Sequence, residues 1–466
     1  MNGNMRIIIL GAGRVGESVA ESLVSEQNDI TMIDPDPDRL RDIQDRLDLR
    51  GVTGNGIQPS VLRRAGAQDA DLFIACAALD ETNLAACKVA HDVFGIATTI
   101  ARLRSPEFEE GHPLLGKAGF AVDHVICPEE SVMRYIHQLI DYPQALQVLE
   151  FSQGHAHLIA VRVEAGSALA GRTISEFKAL FPTVPMRVVA VYRLDDEVQV
   201  QPTTRIQPGD EVFVLAEKEK IRQVLNAMHK DDRPVRRVMI AGGGKVGLRL
   251  ARSLVGQCQV KILETNRKRC EYLAGELPSD VLVLCGDSTD EDMLSDENVG
   301  DMDLFIALTS DDEDNILSAM LAKRLGAQRV IALINRRIYA EMMQGSAIDI
   351  ALSPSQTVIG ELLVHVRRGD IAVVHSLRRG AAEAIEGIAR GDLRTSRLVG
   401  RRIADIGLPA GARFGVIVRG QGRQGKVLMP NHELVIEEGD HVIIFLPSKH
   451  LLRAVEKLFQ VSATFF

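Results

Sequence analysis

No stretch of this 466-residue sequence approaches the roughly 18 consecutive apolar residues that a membrane-spanning helix needs. The opening Met1-Asn-Gly-Asn-Met-Arg has no apolar core of a secretory signal either. A cytoplasmic location is therefore expected, unless another protein holds the chain at a membrane. Net positive charge is lacking too: the balance is −9, which argues against general binding to nucleic acid or anionic lipid. The cysteines number six (Cys76, Cys87, Cys127, Cys258, Cys270, Cys285) and form no C-x-x-C. Cys76, Cys127 and Cys285 fall in apolar strands, so buried thiols in a reducing compartment are expected. His155 and His157 have no Cys or His partner nearby in sequence, and no metal site is expected. Catalytic strings are missing as well. There is no G-x-S-x-G elbow, no H-E-x-x-H pair, no phosphoryl-transfer set and no His, Lys or Tyr constellation of the kind a dehydrogenase brings to its nicotinamide.

What is present is a duplication. Gly11-Ala-Gly-Arg-Val-Gly16 and Gly242-Gly-Gly-Lys-Val-Gly247 lie 231 positions apart, each directly after an apolar run (Ile7-Ile-Ile-Leu10; Val238-Met-Ile-Ala241). One G-x-G-x-x-G is weak evidence of a nucleotide site; two in equivalent contexts are strong. In the dinucleotide-binding turn the first glycine (Gly11, Gly242) makes the tight bend. The second (Gly13, Gly244) lets backbone approach a pyrophosphate, and the third (Gly16, Gly247) lets the helix pack on the strand. The helix N-terminus then offers free N–H groups and a positive dipole end to phosphate. Lys245 does not make a P-loop, because no Ser or Thr follows it and the G-x-x-x-x-G-K spacing is absent. Strands at Ile30 to Asp34 and Val260 to Glu264 end in carboxylates, placed where an acid meets the adenosine ribose hydroxyls and repels a 2′-phosphate. The spacing favours NAD or an adenine nucleotide over NADP. A plainer reading stays open: each acid caps the following turn, as in Asp34-Pro35-Asp36-Pro37, or, for Glu264, answers Lys268 and Arg269.

The repeat extends further. Val52-Thr-Gly54-Asn55 matches Leu284-Cys-Gly286-Asp287, Asp71-Leu-Phe-Ile-Ala75 matches Asp303-Leu-Phe-Ile-Ala307, and Asp80-Glu-Thr-Asn83 matches Asp312-Glu-Asp-Asn315, at a constant offset of 232. A βαβαβ nucleotide unit has been copied. At that offset Arg102, which ends the strand Thr98-Thr-Ile-Ala-Arg102, answers to Ile334. A surface salt bridge from Arg102 to Glu107 or Glu109 is the plainer role for it. A second kind of segment is also repeated: Gly171-Arg172 with Gly400-Arg401, Pro202 with Pro430, and Pro208-Gly-Asp with Glu438-Gly-Asp. These read as short strands between turns, closed by helices at 221–228 and 451–458, hence a small α+β domain. Amphipathic stretches at 128–142 and 354–366 read as crossover helices. The fold class is thus α/β, with two Rossmann-like doubly wound parallel-sheet domains, each followed by a small α+β domain. Boundaries are expected at 5–127, 128–231, 235–353 and 354–460.

With these motifs in view, the whole chain resembles the peripheral regulatory subunits of bacterial Trk potassium uptake systems, built from tandem RCK N and RCK C domains. The strings Ile100-Ala-Arg102, Gln344-Gly-Ser-Ala-Ile-Asp-Ile350, Ser376-Leu-Arg-Arg-Gly380 and Glu383-Ala-Ile-Glu386 carry the likeness alongside the fingerprints. The resemblance implies binding of NAD/NADH and of ATP/ADP, and a non-enzymatic role regulating a TrkH- or TrkG-type membrane potassium transporter. It also implies a homo-oligomer, dimer or tetrameric ring, on the inner face of the membrane. It places Gly11, Ala12, Gly13, Arg14, Val15, Gly16, Asp34, Gly54, Asn55, Ala77, Ala78 and Arg102 at a first site. Gly242, Gly243, Gly244, Lys245, Val246, Gly247, Glu264, Asp287 and Thr309 fall at a second. The family's Thr-Ser loop reads Ala77-Ala78 in the first half and Thr309-Ser310 in the second, so a hydroxyl contact is expected only in the second. Two other readings stay open: an NAD-dependent oxidoreductase of the saccharopine type, and a regulator of a cation/proton antiporter.

Overall fold

The computed structural model describes residues 5–24, 28–105, 107–108, 111–194, 196–228, 234–343, 347–366, 370–377, 382–420 and 425–461. Residues 344–346 and 378–380 of the strings above, and the expected boundary at 231, lie outside them. The first unit runs β1 (Arg6–Leu10), α1 (Arg14–Val24), β2 (Asp29–Asp34), α2 (Pro37–Gln44), β3 (Arg50–Thr53), α3 (Pro59–Arg64), β4 (Leu72–Ala75), α4 (Asp80–Phe94), β5 (Thr98–Arg102) and β6 (His124–Ile126). Its six parallel strands lie in the order β3-β2-β1-β4-β5-β6. The central strands are apolar almost throughout because helices cover both faces: Ile7, Ile8, Ile9 and Leu10 are all 2% exposed or less. The short β6, between turns, is a sixth strand that the βαβαβ reading of the sequence does not contain.

The crossover helix α5 (Pro128–Asp141) leads to β7 (Ala145–Phe151), β8 (Ala156–Arg162), α6 (Ile174–Ala179), β9 (Met186–Arg193), β10 (Asp196–Val198), β11 (Glu211–Glu217) and α7 (Ile221–Met228). These five strands form an antiparallel sheet, β10-β9-β11-β8-β7. At its edge Arg193 grips Asp210 through two bonds of 2.8 and 2.9 Å, and the carboxylate is 1% exposed.

The second half repeats the plan with β12 (Arg237–Ala241), α8 (Lys245–Leu254), β13 (Gln259–Glu264), α9 (Arg267–Glu276), β14 (Val281–Cys285), α10 (Glu291–Asp296), β15 (Leu304–Ala307), α11 (Asp312–Arg324), β16 (Val330–Leu333), α12 (Arg337–Met342) and β17 (Ile350–Leu352). The sheet order is again β14-β13-β12-β15-β16-β17. Then come α13 (Pro354–Val366), β18 (Ile371–Leu377), β19 (Ala382–Ile388), β20 (Arg413–Arg419), β21 (Lys426–Leu428), β22 (His441–Leu446) and α14 (Leu452–Glu456), with the sheet β18-β19-β22-β20-β21. Arg419 holds Asp440 as Arg193 holds Asp210.

The crossover helices are exchanged between the halves. Val132, Ile136 and Leu139 of α5 enter the core of the second parallel sheet with Val238, Ile240, Leu250 and Leu254. Leu362, Leu363 and Val366 of α13 enter the core of the first with Ile7, Ile9, Val19 and Leu23. Each buried Leu or Ile removed from water contributes about 2 kcal/mol, so the exchange ties the halves firmly. Ser131 Oγ on α5 donates to Glu361 Oε1 on α13 at 2.9 Å. Arg329, just before β16, donates to the carbonyls of Leu139, Pro143 and Ala145 and so caps α5 from the other half. Burial pulls its guanidinium down to about 10. The two antiparallel sheets pack face to face through Phe213 and Leu215 against Val416, Ile443 and Phe445.

The cysteines depart from expectation. Cys76 and Cys87 are buried, but Cys127 is half-buried where it caps α5, and Cys285 is exposed because β14 is the edge strand of its sheet.

Candidate functional site

In both parallel sheets the order of the strands reverses beside the first strand, which opens a crevice at the carboxyl ends. The first glycine turn sits there. Gly11 adopts φ +103°, and a Cβ on it would stand 2.8 Å from Cys76 O and 2.9 Å from the Ala77 nitrogen. Only glycine fits so close to the neighbouring loop. A Cβ on Gly16 would come 1.9 Å from Gly11 O, so α1 packs against the turn only because that position is bare. Gly13 is different: a Cβ there would meet nothing within 4 Å. Its open side faces the crevice at the start of α1, the space a pyrophosphate needs. Arg14 is exposed beside it and Val15 packs partly into the core.

Asp34 is 6% exposed and already committed to backbone. Its Oδ2 accepts from the Ala12 N–H at 2.7 Å and its Oδ1 from the Asp36 N–H at 2.9 Å. The turn-capping role and the glycine-loop role therefore coexist in one carboxylate, whose oxygens offer about four lone-pair sites in total. Gly54 N–H donates to Asp34 O at 3.0 Å, and Asn55 Oδ1 accepts from Ile57 N–H, shaping the turn after β3.

Asn83, wholly buried, pins the far wall. Its Oδ1 accepts from the Ala77 N–H at 2.8 Å, and its Nδ2 donates to Ala77 O and, at 2.8 Å, to Arg102 O. Asp80 Oδ2 accepts from the Arg104 and Ser105 N–H groups, both at 2.9 Å. The motif Asp80-Glu-Thr-Asn83 thus sets the β4 and β5 loops side by side. Ala78 stands exposed at the rim. Arg102 is 8% exposed, not on the surface, and its Nε has no hydrogen-bond partner. Burial lowers its pKa, with Arg104 adding to the effect and Glu129 opposing it. This is not the surface pairing with Glu107; Glu109 lies outside the described residues.

The second cradle repeats the plan with different side chains. Gly242 takes φ +107°, a Cβ on Gly247 would lie 2.0 Å from Gly242 O, and Gly244 again faces open space. Glu264 Oε2 accepts from Gly243 N–H at 2.9 Å and its Oε1 from Asn266 N–H at 2.8 Å. Gly243 stands where the first half has Ala12, and a Cβ on it would strike Leu273 at 2.3 Å. Lys245 is exposed at the start of α8 and Val246 packs partly inward. Arg269 Nε donates to Gly243 O at 2.7 Å while its guanidinium lies 4.7 Å over the Tyr272 ring, so a cation borders this cradle. Asp287 Oδ1 accepts from both the N–H and the hydroxyl of Thr289. Thr309 N–H and Oγ1 both donate to Asn315 Oδ1 at 2.8 Å, the part Asn83 plays in the first half.

One pairing between the halves is corrected. The offset of 232 shrinks to 231 at the fifth strand, because Phe73 pairs with Thr99 as Phe305 pairs with Val330. Asp312 likewise holds the N–H groups of Asn335 and Arg336 where Asp80 holds those of Arg104 and Ser105. Arg102 therefore answers to Leu333, not Ile334, and the second cradle still has no buried arginine there.

Two side chains outside the candidate set shape these sites. Asn83 and its twin Asn315 were visible as a repeated Asn three residues after a repeated Asp. Arg249, on α8, donates to Arg104 O at 3.1 Å and so joins the helix of the second cradle to the rim of the first. No short-range pattern marks that contact.

Paired glycine cradles, each joined through an exchanged helix to an antiparallel sheet, define a duplicated RCK-type architecture. The crystal structure of the GsuK RCK domain shares this fold, with a TM-score of 0.59 at 15% identity over 98% of this chain and 95% of that one. The GsuK channel bound to NAD matches with the same score over 98% of this chain and 79% of that one. The TrkA-N domain family matches residues 7–128 and 238–354, and the TrkA-C domain family residues 158–229 and 393–460. Trk system potassium uptake protein TrkA of Vibrio alginolyticus is 48% identical over 99% of this chain and 100% of its own length. TrkA of Halomonas elongata gives the same figures, and TrkA of Haemophilus influenzae is 42% identical over the same shares. The chain belongs to the TrkA family. Among the described residues no helix is long and apolar enough to cross a membrane.

Proposed function

We propose that this chain is the cytoplasmic, nucleotide-sensing regulatory subunit of a potassium uptake system, binding NAD/NADH or ATP/ADP in its two glycine cradles and gating a TrkH- or TrkG-type membrane partner. It acts without catalysing a reaction, as a homo-oligomer, dimer or tetrameric ring, held on the inner face of the membrane by that partner. The pyrophosphate is held by the N–H groups of Gly11 to Gly16 and of Gly242 to Gly247 at the starts of α1 and α8. Ribose hydroxyls donate to Asp34 and Glu264, whose charge repels a 2′-phosphate. Arg102, with a buried unpartnered Nε, supplies an anion contact that the second cradle lacks. Gly54, Asn55, Ala77 and Ala78 line the first site, and Asp287 and Thr309 the second.

A regulator must present two states that bind the ligand differently. The observation that carries this reading is Arg249: it stands on the helix whose N-terminus forms the second cradle and bonds the Arg104 carbonyl beside Arg102. Ligand that draws in the start of α8 therefore pulls on the first cradle and on α5. Calorimetric titration of NADH, NAD, ATP and ADP tests the binding. Co-purification from solubilised membranes with a potassium transporter, and potassium uptake in cells lacking the chain, test the partner. Absence of saturable nucleotide binding, or uptake indifferent to the chain, overturns the reading.

A further inference from the structure

Cys270 and Cys285 meet beside the second cradle. Cys270, in α9, directs its Sγ at Glu264 O, 3.3 Å away, and reaches Leu284 O at 4.0 Å, so it sits where the ends of β13 and β14 come together. Cys285 directly follows Leu284 and pairs in register with Glu264 itself. Burial first, and then the neighbouring Cys285 thiol, push the Cys270 thiol up to about 11. One member is buried and the other exposed. That is the arrangement of an attackable thiol with a resolving partner behind it. Cys76 and Cys87 also interact, but both lie in a closed core where no oxidant arrives.

α9 is also the helix that braces the second cradle. Its N-cap Asn266 is bonded to Glu264, and Arg269 holds Gly243 O. Leu273 packs so close to Gly243 that no Cβ fits between them. Cys270 is thus one residue from the arginine that fixes the glycine turn. The first half has Leu40 and Thr53 at the two positions, as the pairing of Asp34 with Thr53 shows.

We propose that Cys270 and Cys285 form a reversible disulfide in response to a peroxide, and that this link loosens the second cradle alone. The nucleotide part rests on the reading that this cradle binds a dinucleotide. In the chemistry, the Cys285 thiolate attacks one peroxide oxygen, the O–O bond breaks, and hydroxide leaves while a sulfenic acid forms. The Cys270 sulfur then attacks that sulfur, and its proton with the sulfenic hydroxyl departs as water. Two thiols and one hydrogen peroxide give one disulfide and two waters, and a dithiol reductant reverses the change. Drawing Cys270 toward the end of β14 shifts Arg269 and Leu273 against Gly243.

The test uses the full chain carrying Gly13→Val, which blocks the first cradle while adding atoms only into open space, treated with hydrogen peroxide, then alkylated and mapped by mass spectrometry. The expected result is a linked Cys270–Cys285 peptide pair that dithiothreitol separates, together with about a tenfold loss of NADH affinity that the reductant restores. The same loss must be missing in Cys270→Ser and Cys285→Ser. Cys285 oxidised alone while Cys270 still alkylates, or a link that leaves NADH affinity unchanged, overturns the proposal. If the reduced Gly13→Val chain binds no NADH at all, the nucleotide reading of this cradle fails and the regulatory half of the proposal with it, while peptide mapping still decides the disulfide.

Discussion

Arg249 Nη2 on α8 donates to the carbonyl oxygen of Arg104 at 3.1 Å, a bond that spans 145 residues and crosses from one half of the molecule to the other. The Arg104 N–H is held by Asp80, so the loop after β5 is gripped from both sides. On the proposed reading, this bond carries the effect of ligand in the second cradle to the first. Arg249→Ala is expected to leave each intrinsic affinity within about a factor of three while removing most of the coupling between sites, on the order of 1 kcal/mol. Titrating NADH into chains with one cradle blocked, with and without the substitution, measures it. Unchanged coupling would place the communication elsewhere.

Glycines of one motif should behave in opposite ways. Gly13→Val adds atoms into open space, so its unfolding midpoint should stay near the parent value while NADH binding at the first cradle is lost. Gly16→Ala would place its Cβ 1.9 Å from Gly11 O and should unfold or separate α1 from β1. Thermal melts alongside binding isotherms check both. A Gly13→Val chain that still binds normally would show that phosphate does not lie there.

Asp34→Asn keeps an acceptor but removes the charge that two backbone N–H groups share and, on the proposed reading, the ribose hydroxyls too. NADH binding should weaken by about 1–3 kcal/mol, and discrimination against NADPH should fall because repulsion of the 2′-phosphate is gone. Competitive titration of the two reduced dinucleotides reads this directly. Retained discrimination would assign selectivity to another group.

In the first antiparallel sheet, Arg193→Ala strands the carboxylate of Asp210, which is 1% exposed and is then left, among the described residues, with the Gln207 N–H at 2.8 Å. A destabilisation of about 3 kcal/mol is expected by denaturant unfolding. Arg419→Ala should cost a similar amount through Asp440. A loss under about 1 kcal/mol would show that water replaces the guanidinium freely.

Glu150 gives the molecule an acid sensitivity. The hydrogen bond from His157, 3.3 Å away, pulls this carboxyl down to about 2 from its ordinary 4.5, against an opposing effect of burial. The unfolded chain binds the proton first, so the stabilisation is present above pH 4.5 and is lost as pH falls from there toward about 2. Glu150→Gln should flatten that part of the stability profile. Because nearly half of the carboxylate faces water, the change is a fraction of what a buried pair gives. Parallel profiles for both proteins would remove Glu150 from the account.

Local pattern carried much of this molecule. The glycine turns, the apolar strands before them and the acids after the second strands are short-range signals, and β1, β2, β12 and β13 end where those signals put them. The small domains were legible from their Gly-Asp turns, since a buried aspartate recurs at 210 and 440. What escaped depends on separation in sequence. β6 and β17 are three residues each and gain their strand character only by pairing with β5 and β16. Nothing near residue 249 announces a bond to residue 104. Arg102 answers to Leu333 and not to Ile334 because one residue is missing between the fourth and fifth strands of the second half, a slip that strand register and the bonds of Asp312 reveal.

The exchange of α5 and α13 has a consequence for how this chain is made and cut. A ribosome releases the first half before the helix that completes its sheet exists, so the early product waits with bare Ile7, Ile9 and Leu23 until α13 arrives. Polypeptides 5–231 and 235–461, produced apart, should each aggregate; produced together, they should rescue one another into a soluble pair.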